Sequence, residues 1–139
     1  MKLEEALSRT VEYSLRPRYA ETDQMGVIYY ANYLVWFECG RTEWLRSIGK
    51  TYAAMEAEGV FLPVLRCEID YHAPARYDRL LAVRSRITRL TPVRLEFGYE
   101  VIDRERGTKL AHGMTRHAFV DASGAIVRCG FEMLDIDAR

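Results

Sequence analysis

Apolar and polar positions recur along this chain with two different periods, and the periods divide it into elements. From Val11 to Tyr19, the residues Val11, Tyr13 and Leu15 alternate with Glu12, Ser14 and Arg16. A period of two puts successive side chains on opposite faces and predicts a half-buried strand. The stretch Glu21-Thr22-Asp23-Gln24-Met25-Gly26 interrupts the alternation with turn-forming residues. Helical spacing follows over roughly Ala31–Ile48. Its first half, Tyr33-Leu34-Val35-Trp36-Phe37, is apolar nearly all round, which predicts burial on most sides. Its second half is amphipathic, with Trp44, Leu45 and Ile48 set against Arg41, Glu43 and Arg46. Asn32 is placed to cap the start, and Gly49 to take the left-handed position after the end. A short second helix is predicted over Tyr52–Glu58, closed by Gly59.

The remainder reads as strands. Leu65, Cys67, Ile69 and Tyr71 alternate with Arg66, Glu68 and Asp70. Leu80 to Leu90 is rich in strand formers and stops before Thr91-Pro92. Leu95, Phe97, Tyr99 and Val101 alternate with Arg94, Glu96 and Glu100. Arg104-Glu105-Arg106-Gly107 predicts a hairpin turn. Lys109 to Val120 is the longest strand, and Asp121-Ala122-Ser123-Gly124 turns into a last strand near Ile126. The order is therefore one strand, a buried helix, a short helix, then four or five strands in antiparallel meander. A helix apolar almost all round needs a sheet curled about it, so the class is α+β. One sheet cannot cover that much apolar surface, so a homodimer or larger assembly is expected.

Composition narrows the function classes. The chain has 139 residues, which predicts one domain over 1–139 with a core that needs no disulfide or metal. Lys+Arg and Asp+Glu balance at 20 each and no basic run occurs, so nucleic acid is not an expected partner. Cys39, Cys67 and Cys129 are odd in number and widely spaced, which reads as reduced thiols in a cytoplasmic protein. The N-terminal MKLEEALSRT is acidic and amphipathic and lacks the apolar core of a signal peptide. No apolar stretch approaches the ~20 residues that span a bilayer.

Asp23 is the leading candidate for chemistry. It precedes the most buried helix, whose first N–H groups have no intrahelical partner. Those groups and the positive end of the helix dipole face the segment that carries Asp23. A carboxylate beside free N–H donors supplies a base or nucleophile together with a site for a developing oxyanion, the two needs of acyl transfer. Taken alone, a turn aspartate more often only shapes its turn.

The block Arg18-Tyr19-Ala20-Glu21-Thr22-Asp23-Gln24-Met25-Gly26-Val27-Ile28-Tyr29-Tyr30-Ala31-Asn32-Tyr33 resembles the signature of the 4-hydroxybenzoyl-CoA thioesterase family, including its Tol–Pal-associated acyl-CoA thioesterases. Phe37 to Leu45 (F-E-x-x-R-T-E-W-L) continues the likeness. Tyr71 to Asp78, Gly113 to His117 and Asp121 to Gly124 extend it more weakly over nearly the whole chain. The resemblance implies a hotdog fold, an antiparallel sheet of about five or six strands wrapped around one long helix. It also implies a dimer or tetramer with active sites at subunit interfaces, and hydrolysis of an acyl-CoA thioester without a cofactor. It places the catalytic carboxylate at Asp23 and the oxyanion donor at the backbone N–H of Tyr30. Gly26 and Val27 follow as substrate-binding positions. Some relatives carry His where this chain has Tyr30, so only the backbone of Tyr30 is assigned a role.

The other candidates carry less. His112 and His117 are five apart on one strand and fall on opposite faces, so they cannot share a metal. His72 lies in a turn before Pro74. Cys39, mid-helix, reads as a small buried hydrophobe. Glu38 and Arg41, at i and i+3, are expected to pair structurally. Of the arginines spread over the strands, Arg128 is the first choice for a coenzyme A phosphate contact. No Gly-rich phosphate loop occurs, so no nucleotide-type cofactor is expected. Two alternatives stand beside acyl-CoA hydrolysis. One is an acyl-carrier-protein thioesterase. The other is a non-hydrolytic thioester binder or dehydratase, which the spread of His72, His112 and His117 disfavours.

Overall fold

The computed structural model describes residues 1–139. Five antiparallel strands form one sheet: β1 (Val11–Leu15), β2 (Val64–Tyr71), β3 (Leu81–Leu90), β4 (Arg94–Asp103) and β5 (Thr108–Ala118). Their order across the sheet is β1-β3-β4-β5-β2. Four helices accompany them: α1 (Leu3–Ser8), α2 (Asn32–Ser47), α3 (Tyr52–Ala57) and α4 (Gly130–Leu134). This is the α+β arrangement that the two periods predict, with the long helix α2 lying against β1, β3 and β4.

The stripe Tyr33, Trp36, Phe37, Trp44 and Leu45 recurs at helical spacing and is buried. Phe37 stacks on Tyr99 of β4, ring centroids 4.2 Å apart and planes 5° apart. Trp44 meets Phe97 edge-on at 5.8 Å. Burial of each such side chain stabilises the fold by about 1.5–3 kcal/mol relative to exposure. Gly40 lies on the same stripe. A Cβ there would sit 2.3 Å from Ser85 Oγ, so the helix approaches β3 as closely as it does only because position 40 has no side chain.

Besides setting β2 against β5 rather than next to β3 in a simple meander, the structure corrects the sequence reading in four places. β1 ends at Leu15 rather than Tyr19, because Pro17 has no N–H to give to a ladder. The last strand expected near Ile126 is a single bridge to Val120. β5 is already flanked by β4 and β2, so no edge is left for it, and the chain winds into α4 instead. Asn32 does not cap α2: the preceding Ala31 is already helical, and the Asn32 amide bonds elsewhere.

The fourth correction concerns cover. β2 alternates like a half-buried strand, yet only Ile69 among its residues is better than exposed. Likewise Leu34 and Val35, on the helix read as buried on most sides, are 37% and 50% exposed. Nothing within the chain covers this edge of the sheet or the outer flank of α2.

Candidate active site

The segment before α2 is fixed by main-chain bonds. Asp23 N–H donates to Val27 O at 2.9 Å and Gly26 N–H to Asp23 O at 3.0 Å, closing a tight turn. Gly26 takes φ +77°, a conformation that suits glycine. The turn is tied to the 73–75 segment, where Ile28 N–H donates to Ala75 O at 2.9 Å. Ala75 N–H in turn donates to Tyr33 Oη at 3.1 Å. Glu21 anchors the other side. Its buried carboxylate accepts from Trp36 Nε1 at 3.1 Å and from Arg18 N–H at 2.7 Å. Its carbonyl accepts from Tyr29 N–H at 2.8 Å and Asn32 Nδ2 at 3.0 Å. The Asn32 side chain thus holds the loop to the helix.

A cleft of 340 Å³ lies between this loop and the end of β2, walled by Asp23, Val27, Tyr30, Tyr33, Tyr71 and His72 among others. One Asp23 carboxylate oxygen accepts from Met25 N–H at 2.9 Å, and the other has no intrachain donor. At the head of α2, the N–H groups of Asn32, Tyr33 and Leu34 turn back onto the carbonyls of Tyr29, Tyr30 and Ala31 at 3.0, 3.4 and 3.2 Å. The N–H groups of Tyr30 and Ala31 have no acceptor. They lie just ahead of the 16-residue helix α2, at the positive end of its dipole. Tyr71 Oη donates to Tyr30 O at 2.9 Å, which holds the peptide plane at this end. The Tyr30 ring is exposed and packs on Tyr29, with centroids 4.7 Å apart. The cleft is thus lined both by Asp23, with its partly free carboxylate, and by Tyr30, whose N–H has no acceptor.

Of the sequence-predicted positions, Asp23, Val27 and Tyr30 therefore meet at one cleft. Gly26 shapes the turn without lining the cleft. Arg128 is exposed, on the segment between the Val120–Ile126 bridge and α4, away from this wall. The expected Glu38–Arg41 pair does not form. Arg41 turns inward and donates to Tyr52 Oη at 3.0 Å, while Glu38 stays exposed. Both border a second groove of 610 Å³ with Phe61, Leu62 and Val120. Burial pushes the Cys39 thiol up, which suits an unreactive side chain.

His112 and His117 separate as their spacing requires. His117 is fully buried, its Nδ1–H donating to Leu62 O at 3.3 Å and its Nε2 accepting from Thr115 Oγ1 at 2.8 Å. Burial, with Arg41 nearby, pulls its pKa down to about 4, so it is neutral at physiological pH. His72 and His112 are not dispersed, contrary to the sequence reading: their rings meet edge to edge, and His72 Nε2 lies 2.6 Å from His112 Nδ1. Sequence reasoning also passed over Glu21 and Tyr71. Nothing local separates Glu21 from the solvated acids, and Tyr71 meets Tyr30 across 41 positions.

The sequence pattern of the thioesterase-like superfamily matches residues 17–133. The chain is 34% identical over 93 residues to the acyl-CoA thioester hydrolase YbgC of Escherichia coli O157:H7, covering 67% of this chain and 69% of that protein. It is 43% identical over 84 residues to YneP of Bacillus subtilis, covering 60% of this chain but only 61% of that protein. Among solved structures, the DHNA-CoA thioesterase of Staphylococcus aureus superposes with a TM-score of 0.83 at 30% identity, covering 86% of this chain and 80% of that one. With its fold and its sequence pattern in agreement, the chain belongs to the thioesterase-like superfamily and has the hotdog fold.

Proposed function

We propose that this protein hydrolyses acyl-CoA thioesters to free acid and coenzyme A in the Asp23 cleft. The observation that carries the reading is the shared cleft of the Asp23 carboxylate and the acceptor-free Tyr30 N–H at the head of α2. The thioester carbonyl oxygen sits on the Tyr30 and Ala31 N–H groups. Asp23 either adds to the carbonyl carbon or takes the proton of an attacking water. Incorporation of ¹⁸O from labelled water into the Asp23 carboxylate marks the first route. The thiol of coenzyme A, with an ordinary pKa near 8.5, leaves readily as thiolate. One preorganised oxyanion donor is worth about 2.7–4 kcal/mol. Gly26 holds the turn, Val27 contacts the acyl group, and the Tyr30 phenol is not required. The narrower affiliation with 4-hydroxybenzoyl-CoA and Tol–Pal-associated thioesterases belongs to this proposal.

The working unit is a homodimer or a tetramer of such dimers. β2 is a sheet edge with exposed Val64, Leu65 and Tyr71, and Leu34 and Val35 of α2 are uncovered beside it. A twofold axis pairing β2 with its copy sets the Tyr71 end of one strand against the Val64 end of the other. The Asp23 cleft then adjoins the partner's groove behind Phe61 and Leu62, which extends it for the acyl group. Arg128 contacts a coenzyme A phosphate across this interface. The protein acts in the cytoplasm as one domain, and the structure contains no helix long and apolar enough to cross a membrane.

Asp23→Asn tests the reading. Thiol release from hexanoyl-CoA and benzoyl-CoA should fall by about 10²–10⁴-fold with the circular dichroism spectrum retained. Undiminished turnover would remove Asp23 from the mechanism. A dehydratase reading draws support from His72 in the cleft wall. Hydration of an enoyl-CoA without thiol release would favour it.

A further inference from the structure

Asp70, His72 and His112 form a chain of polar contacts that starts on the outer face of the sheet and ends in the wall of the Asp23 cleft. Asp70 and His112 are direct partners across β2 and β5. His112 Nε2 lies 3.2 Å from Asp70 Oδ2. His112 Nδ1 lies 2.6 Å from His72 Nε2, with the two rings edge to edge, centroids 4.8 Å apart and planes 18° apart. Backbone bonds fix the far end, where His72 N–H donates to Leu110 O at 2.8 Å. His72 itself lines the cleft with Asp23 and Tyr30.

The donor and acceptor roles follow in order. An ionised Asp70 only accepts, so His112 Nε2 carries a proton toward it. A neutral His112 then has a lone pair on Nδ1, which accepts from His72 Nε2–H. The remaining nitrogen, His72 Nδ1, is the one left for the cleft. When His72 is protonated, the charge sits on a ring braced by a lone pair and, one ring further on, by a carboxylate. A carboxylate behind a histidine fixes its tautomer and its ring orientation.

We propose that His72 is the proton donor to the departing sulfur, with His112 and Asp70 as its positioning residues. The inference rests on the thioesterase reading of the cleft. As the C–S bond breaks, the bonding pair leaves on sulfur, and the thiolate takes the Nδ1 proton of the His72 imidazolium, which becomes neutral imidazole. The carbonyl carbon keeps the oxygen supplied through Asp23. The proton lost by water passes to solvent, and solvent reprotonates His72.

Other charges bear on the pair from both sides. His112 shares an outer groove with Arg84, Arg86, Glu100 and Lys109. Glu100 is taken up by Lys109 at 3.1 Å, and Arg84 by Glu12 at 3.1 Å. On the cleft side His72 faces Asp23 and the phenols of Tyr30, Tyr33 and Tyr71. Asp70 is therefore the carboxylate that bears on the imidazole pair by direct contact.

The test uses the whole protein and two leaving groups: hexanoyl-CoA and the S-phenyl ester of hexanoic acid, whose leaving thiol is far more acidic. His72→Asn should lower kcat for hexanoyl-CoA about tenfold, less than general acids usually contribute because a thiolate needs little help. It should erase the fall in kcat toward alkaline pH and leave the S-phenyl ester nearly unaffected. His112→Asn should lower kcat for hexanoyl-CoA less than His72→Asn does, again sparing the S-phenyl ester, and Asp70→Asn should lower it less still. Equal losses on both esters, or an unchanged pH profile, would overturn the donor role while leaving the Asp23 reading intact. Undiminished hydrolysis of both esters by Asp23→Asn would instead bring down the cleft reading and this inference with it. Nitrogen-15 NMR of the free protein gives a readout that needs no turnover. Substituting His112 should change the ring-nitrogen shifts that report the His72 tautomer, and identical shifts in both proteins would refute the coupling.

Discussion

At its C-terminal end α2 is closed. Gly49 N–H donates to Arg46 O and Lys50 N–H to Leu45 O, both at 2.9 Å, with Gly49 at φ +80°. At its N-terminal end the same helix is open. No side chain caps it, and the N–H groups of Tyr30 and Ala31 have no acceptor. A helix built only for stability would close both ends, since a cap contributes about 1 kcal/mol. The surroundings of the open end are rigid all the same: Glu21, Tyr33 and Tyr71 hold the chain around it by three separate hydrogen-bond routes. The difference teaches where to look for function, at fixed donors that the fold leaves unused next to a carboxylate.

Three perturbations sharpen this contrast. The largest concerns His117, beneath the middle of the helix and remote from either end. Its pKa is about 4 in the fold against 6.5 for an ordinary histidine, so the unfolded chain binds the proton first as pH falls. Stability is complete above pH 6.5 and declines between pH 6.5 and about 4, by up to about 3 kcal/mol. Urea unfolding across that range measures it, and His117→Gln should flatten the dependence. At the closed end, Gly49→Ala should cost about 1–2 kcal/mol of stability, because a Cβ meets no atom there and only the left-handed backbone objects. Its kcat should not change. At the open end, Tyr71→Phe frees the Tyr30 carbonyl and should lower kcat about fivefold, near 1 kcal/mol, with little change in melting temperature. A loss of stability without a loss of rate in this last variant would make Tyr71 a packing residue only.

Much of this was legible in the sequence, and the rest was hidden for identifiable reasons. The strands and the core of α2 follow from residue periods, and Gly49 from its place after the last helical turn. The loop around Asp23 was marked by the block from Arg18 to Tyr33, although its hydrogen bonds were not. α4 was hidden because Ala125-Ile126-Val127 is as apolar as a short strand, and only the occupied edges of β5 exclude that outcome. The pairing of His72 with His112 depends on the register that sets Asp70 opposite His112, 42 positions apart in the chain. Local spacing contains no trace of such a register. The exposed flank of α2 had the same origin: its apolar pattern was legible, but not that the chain itself leaves Leu34 and Val35 uncovered.

The central claim is that the unpaired Tyr30 N–H receives the thioester oxygen. The most direct measurement replaces that peptide bond with an ester, by semisynthesis with the α-hydroxy analogue of tyrosine at position 30. Because the N–H has no partner within the chain, the melting temperature should hardly move, while kcat for hexanoyl-CoA should fall by roughly 10²–10³-fold. An ester variant that folds and turns over at the original rate would contradict the account.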